Sequence, residues 1–113
     1  MHIDLKSALS LLPLPATALW PEGVWDKTVL EHGTMSLLVF APRGRDYQTS
    51  HKQDELYIVM KGSGILTIED KPYPFVEGDV LFVPAEKQHR FAEFSQDLVT
   101  WAIFWGPLGG EKV

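Results

Sequence analysis

The chain predicts an all-β sandwich or barrel carrying one short N-terminal helix, and three observations predict it. From Trp20 onward, short β-branched and aromatic runs are separated by Gly, Pro and Asp about every eight to ten residues, the cadence of a sandwich or barrel. Helical spacing is confined to Leu5, Ala8, Leu9 and Leu12, ahead of Pro13. The 113 residues, 45% of them hydrophobic, suffice for one core in one domain and no more.

In chain order, Asp4 is placed to cap the helix and Pro13 to stop it, so residues 1–20 read as an N-terminal helical arm. Nine strands follow, at 23–31, 34–41, 46–51, 55–61, 65–69, 73–76, 80–83, 89–94 and 98–105. Turn-forming residues separate most of them: His32-Gly33, 42–44, Gly62-Ser63-Gly64, 70–72, Glu77-Gly78-Asp79, 84–87 and 95–97. The barrel is therefore expected over 23–105. Residues 106–113, with Pro107, Gly109 and Gly110, read as a loose tail. No repeat, low-complexity stretch or linker divides the chain, so 1–113 is one expected domain.

Composition excludes several function classes. Fifteen acidic against ten basic residues leave a net charge of -5, the wrong sign for neutralising phosphates, so no nucleic-acid partner is expected. The absence of cysteine removes thiolate nucleophiles, disulfides and Cys-held zinc or iron-sulfur centres, so any metal must be held by N and O atoms. The apolar run 8–20 is too short to span a membrane and is broken by Pro13 and Pro15. Ala16-Thr17-Ala18 imitates a signal-peptidase site, but Asp4 and the prolines spoil the regions before it, and the expectation is a cytoplasmic protein without membrane contact. No Gly-x-Ser-x-Gly, Walker A or His-Glu-x-x-His pattern occurs, so serine hydrolase, nucleotide-binding and zincin chemistry have no support.

Two strands are apolar on both faces. Tyr57 and Val59 alternate with Leu56, Ile58 and Met60, and Leu98, Ala102 and Phe104 with Val99, Trp101, Ile103 and Trp105. A half-exposed antiparallel strand is polar on one side. The second face therefore needs a cover, and in so short a chain the expected cover is a second subunit, giving a homodimer.

Of the four histidines, His51 and His89 occupy informative places. His51 and Glu55 flank a turn between two strands and can converge on one ion, while His89 follows the turn at Pro84 and supplies a third donor. Two imidazoles and one carboxylate with open positions form the facial triad that suits Fe(II), and similar N/O sites hold Mn, Ni, Co or Zn.

Two spaced motifs contain these residues. The first reads Thr49-x-His51, three residues, Glu55, six residues, Gly62; the second reads Gly78, five residues, Pro84-x-Glu86, two residues, His89, three residues, Glu93. Together they resemble the cupin superfamily, in which the first motif opens His-x-His and the second carries Pro-x-Gly and ends in Asn. The resemblance implies a double-stranded β-helix, the jelly-roll barrel of small single-domain cupins. It implies one divalent transition metal ion (Fe, Mn, Ni, Co or Zn) on His51, Glu55 and His89. Thr49, Glu86 and Glu93 depart from the pattern. A threonine hydroxyl is a poor ligand for a divalent ion, which leaves three protein donors, with Gln53 or Gln48 as neighbouring candidates for an additional one.

Two residues are candidates for catalysis. Glu93 shares a strand face with His89 and Phe91, so a carboxylate near the ion could act as a general base; the alternative is a rim charge. Tyr57 shares the Glu55 face and either lines the pocket or packs as ordinary core. The expected function is action on a small-molecule substrate in the barrel pocket, by dioxygenase- or isomerase-like chemistry. The alternative is a non-catalytic small-molecule binding or sensing module.

Overall fold

The helix forms where the spacing puts it. In the computed structural model, which describes residues 1–113, α1 spans Leu5–Leu9, and the Asp4 side chain accepts from the Ser7 N–H at 2.9 Å. Five residues are far too few to hold a helix alone. Packing holds it, through Leu5, Ala8 and Leu9 on Val39, Ala41 and Val99. The rest of the expected helical arm is a loop instead. A bridge between Leu14 and Val24 closes it, and Trp20 packs edge-on against Phe40 and Tyr47 at 6.3 and 5.5 Å between ring centres.

Eight strands follow: β1 Asp26–His32, β2 Met35–Phe40, β3 Asp54–Lys61, β4 Gly64–Ile68, β5 Lys71–Phe75, β6 Val80–Val83, β7 His89–Phe94 and β8 Val99–Trp105. They form two antiparallel sheets, β1-β2-β8-β3-β6 and β5-β4-β7. Tyr57, Val59, Leu66, Phe75, Phe91 and Ala102, from the inward faces of both sheets, make the core between them. The all-β double-stranded β-helix expected from the sequence is the observed fold. β5 carries Pro72 and Pro74 and lies at a sheet edge, where a missing N–H leaves no ladder bond unmade. Gly64 is required by packing, since a Cβ there would meet the Phe94 Cα at 2.8 Å and the Glu93 carbonyl still closer. No helix of the chain is long and apolar enough to cross a membrane.

The expected strand at 46–51 does not form. Asp46 and Gln48 are buried, at 1% and 8% exposure, and His51 is again turned inward to the cluster with Glu55 and His89. The step from Gln48 to His51 is three residues, which a two-residue strand repeat cannot deliver. Instead, the Asp46 carboxylate accepts from the Gln48 N–H at 3.0 Å, an Asx-type bond that bends the chain, and from the Phe91 N–H of β7 at 2.9 Å. A side chain thus does for β7 what a neighbouring strand would have done.

Residues 106–113 are also tied down more than their composition suggests. The Gly109 N–H donates to the Lys52 carbonyl at 2.7 Å and the Glu111 N–H to Asp54 Oδ2 at 2.9 Å.

Outside the five-stranded sheet, Leu56 and Ile58 lie beside Ile103 and Trp101 of β8 and beside Phe82 and Val80 of β6. Helix α1 covers the Val39 and Val99 end of this face. Val80 and Phe82 stay open at 58% and 49% exposure.

Candidate metal centre

Three elements converge to build the centre. Glu55 is the second residue of β3, His89 the first of β7, and His51 belongs to the segment bent by Asp46. Asp54 links them: its buried carboxylate accepts from the Ala85 N–H at 3.0 Å, so the turn leading to His89 is fixed to the start of β3. The Glu86 N–H donates to the His51 carbonyl at 2.6 Å, tying the same turn to the third ligand segment. Glu86 stands at φ 68°, a left-handed conformation that suits the glycine it replaces in the motif.

One donor atom from each of His51, Glu55 and His89 lies within 4.8 Å of the others. Donors in neighbouring positions around one ion, at bonds of about 2.1 Å, lie about 3 Å apart. His89 Nε2 and Glu55 Oε1 are 3.0 Å apart, with side chains 1% and 3% exposed. That separation is an ion-pair distance, yet the two atoms are not aligned for a hydrogen bond and neither has any other partner.

The tautomer explains why this matters. His89 Nδ1 lies 2.9 Å from the Lys87 carbonyl, which can only accept, so Nδ1 carries the ring proton. In the neutral ring, Nε2 then turns a lone pair toward the carboxylate. Two lone-pair atoms in that arrangement require a proton or a cation between them. Two imidazoles, one carboxylate and an orphaned buried pair fit a divalent transition metal.

The electrostatics agree. Burial alone would depress His89, but the adjacent Glu55 carboxylate outweighs it and holds the imidazole above its ordinary range. Burial pushes Glu55 up in spite of His89. Burial, and then the neighbouring His89, lower His51 to about 4, so its ring is neutral and available as a ligand near pH 7. The His51 ring packs edge-on against Phe104 at 4.8 Å between centres.

The remaining candidates separate clearly. Gln53 is held away from the cluster: its Nε2 donates to the Thr34 and Gly106 carbonyls, both at 2.9 Å. Gln48 takes the nearer place, with Oε1 at 3.2 Å from His51 Nε2, where it also accepts from the Tyr57 hydroxyl at 3.0 Å. Thr49 is exposed. Tyr57 is wholly buried, with its ring 5.0 Å from Phe91, and burial raises its hydroxyl well above the ordinary phenol range. It belongs to the core and braces Gln48.

Glu93 is exposed and lies outside the cluster. Ile65 pairs with Glu93 but the next residue, Leu66, pairs with Phe91, so Ala92 is an extra residue that flips Glu93 to the exposed side. An alternation count assumes an unbroken ladder, and nothing in Phe91-Ala92-Glu93 announces the bulge. Asp46 and Asp54, which position the ligand segments, are missed by ligand spacing alone. The Asp-x-Gln step at 46–48 is the local signal for the first.

Beside the centre lies a cavity of about 150 Å³. His51, Glu55 and Tyr57 contribute to one part of it, and Phe40, Phe104 and the loop residue Trp20 to the apolar part.

The comparisons with known proteins agree with this architecture. The chain is 36% identical over 62 residues to the uncharacterised protein SCO3923 of Streptomyces coelicolor, covering 55% of this chain and 59% of that one. It is 34% identical over 65 residues to the HTH-type transcriptional activator RhaR of Escherichia coli strain K12, covering 56% of this chain and 23% of RhaR. The chain thus spans less than two thirds of these curated relatives. The crystal structure of protein NMB1881 from Neisseria meningitidis superposes with a TM-score of 0.68 at 18% identity, over 94% of this chain and 100% of that one. A cupin domain model matches residues 36–104, from β2 to β8 and across all three clustered donors; the chain belongs to the cupin domain family.

Proposed function

We propose that this chain is a metal-dependent small-molecule cupin, with one divalent transition metal ion held by His51, Glu55 and His89 and an oxygen-bearing substrate bound beside it. The observation that carries the reading is the orphaned pair, Glu55 Oε1 and His89 Nε2, buried 3.0 Å apart with no other partner. The ion, when bound, supplies Lewis acidity or redox chemistry at its open positions. The chain's own part is to fix the donors: the Lys87 carbonyl sets the His89 tautomer, Asp54 anchors the turn before it, and Gln48 stands beside His51. Phe40, Phe104 and Trp20 give the substrate side an apolar wall.

The affinity for the ion should depend on pH in a set direction. Glu55 holds the His89 imidazole above its ordinary range in the metal-free protein, so metal and proton compete for this ring. Affinity for Zn²⁺ or Co²⁺ should rise with pH, up to about tenfold per unit while His89 is protonated, and level off above its raised pKa. His51, at about 4, adds no slope in this range. Metal titrations at pH 6, 7 and 8 test this, and a flat profile would remove His89 from the ligand set.

A second reading, a ligand-sensing module without turnover, draws on the similarity to a segment of a transcriptional activator. Stoichiometric metal with turnover of a small molecule separates the first reading from this one.

We also expect a homodimer, formed through the open outer face around Ile58, Phe82 and Trp101. Light scattering at micromolar concentration should report about twice 12.8 kDa. Phe82→Glu, at a position 49% exposed, should return the monomer without unfolding it. A wild-type monomer would show that the face needs no second subunit.

A further inference from the structure

One inward-facing acid takes no part in the metal centre. Asp26, the first residue of β1, lines the same cavity as His51 and Glu55. It is half-buried, and no side chain or backbone group donates to its carboxylate. Other buried acids of the barrel are committed: Asp46 accepts from Gln48 and Phe91, Asp54 from Ala85 and Glu111, and Glu55 faces His89.

The sheet register places Asp26 at the far side of the cavity. It pairs with Phe40, whose row continues through Thr100 to Val59. That row lies two inward-facing positions along β3 from Glu55, and β1 is three strands away from β3. Between the two polar ends the wall is apolar, with Leu38, Phe40, Ala102, Phe104 and the loop residue Trp20. Withdrawing a carboxylate from water without a donor is unfavourable. Burial, and after it the negative charge of Asp46, raise the Asp26 carboxyl above its ordinary range, as expected for an acid lacking a donor.

We propose that Asp26 is a ligand-binding residue that selects small cyclic molecules carrying a hydrogen-bond donor, a hydroxyl or an ammonium group, on the side of the ring remote from the metal centre. The volume sets the ring size. An apolar cavity of about 150 Å³ takes benzene, so about 150 Å³ here has room for one six-membered ring. The aromatic walls grip the ring faces and edges, and Asp26 accepts from the donor. This rests on the reading above only in taking the cavity as the ligand site; it does not require the ion.

The test therefore uses probes without a chelating pair, on full-length protein with EDTA present, followed by calorimetry or ligand-detected NMR. Benzylamine and benzyl alcohol should bind at least tenfold more tightly than benzoate, which sets like charge against Asp26. Asp26→Leu should abolish that order and favour toluene, while Asp26→Asn should retain benzyl alcohol and lose the preference for benzylamine. Circular dichroism of both variants controls for folding, and the asparagine variant carries the test if the leucine variant does not fold. The proposal is overturned if benzoate matches benzylamine on the wild type, if the order survives in Asp26→Asn and Asp26→Leu, or if none of the four probes binds. Metal loading of the same samples, followed separately, reports on the centre, so failure there and failure here are told apart.

Discussion

Replacing His89 by alanine should lower the affinity for Zn²⁺ or Co²⁺ by a hundredfold or more, and Glu55→Gln should do nearly as much. Each change removes one of only three protein donors and leaves the partner atom of a buried pair alone. His51→Ala should cost at least tenfold, its ring being more open to water and replaceable by a water ligand. Gln53→Ala should leave affinity unchanged, because that amide serves the Thr34 and Gly106 carbonyls. Chelator competition on the purified variants gives these ratios directly. Unchanged affinity in His89→Ala would mean that the three clustered side chains are not the ligand set.

The largest effect on stability should come from a residue that touches no ion. Asp46→Ala is expected to destabilise the fold by about 3–5 kcal/mol, read from urea denaturation at fixed protein concentration. The carboxylate is 1% exposed and accepts from the Gln48 N–H, the Gln48 side-chain amide and the Phe91 N–H. Removing it strands these donors away from water, at about 1–3 kcal/mol each before relaxation. Asp46→Asn should be milder, since one oxygen still accepts while the new amide faces a donor. The consequence extends to the site, because Gln48 is the group that meets both Tyr57 and His51. A loss below about 1 kcal/mol would show that water replaces the carboxylate freely.

Strands β6 and β7 were legible to the residue, and β1–β5 and β8 to within three residues at either end. In those segments local alternation, propensity and turn chemistry agree with the tertiary arrangement. Segment 46–51 was misread for a specific reason: its polar side chains bond to backbone groups, an option that alternation rules ignore. Of the two readings of Glu93, its exposed position fits the rim charge and not the inward acid, because of the bulge at Ala92, a property of the pairing between β4 and β7 and not of either strand alone. For Gln53, nearness in sequence to Glu55 was the sole guide, and the side chain turns to the Thr34 and Gly106 loops.

By itself, the sequence determined the all-β class and the short capped helix, because each is written in local spacing, period two and period 3.6, and it offered the three candidate ligands through the resemblance of its two spaced motifs to those of cupins. Only the tertiary structure decided what surrounds the ligands. The 3.0 Å approach of Glu55 to His89 joins residues from β3 and β7, which belong to different sheets. The bracing by Asp46 and Asp54 depends on contacts between segments 31 to 57 residues apart, and the place of Asp26 across the cavity on the sheet register. Linear spacing carries no distance information for such pairs; the packing of one sheet on the other supplies it.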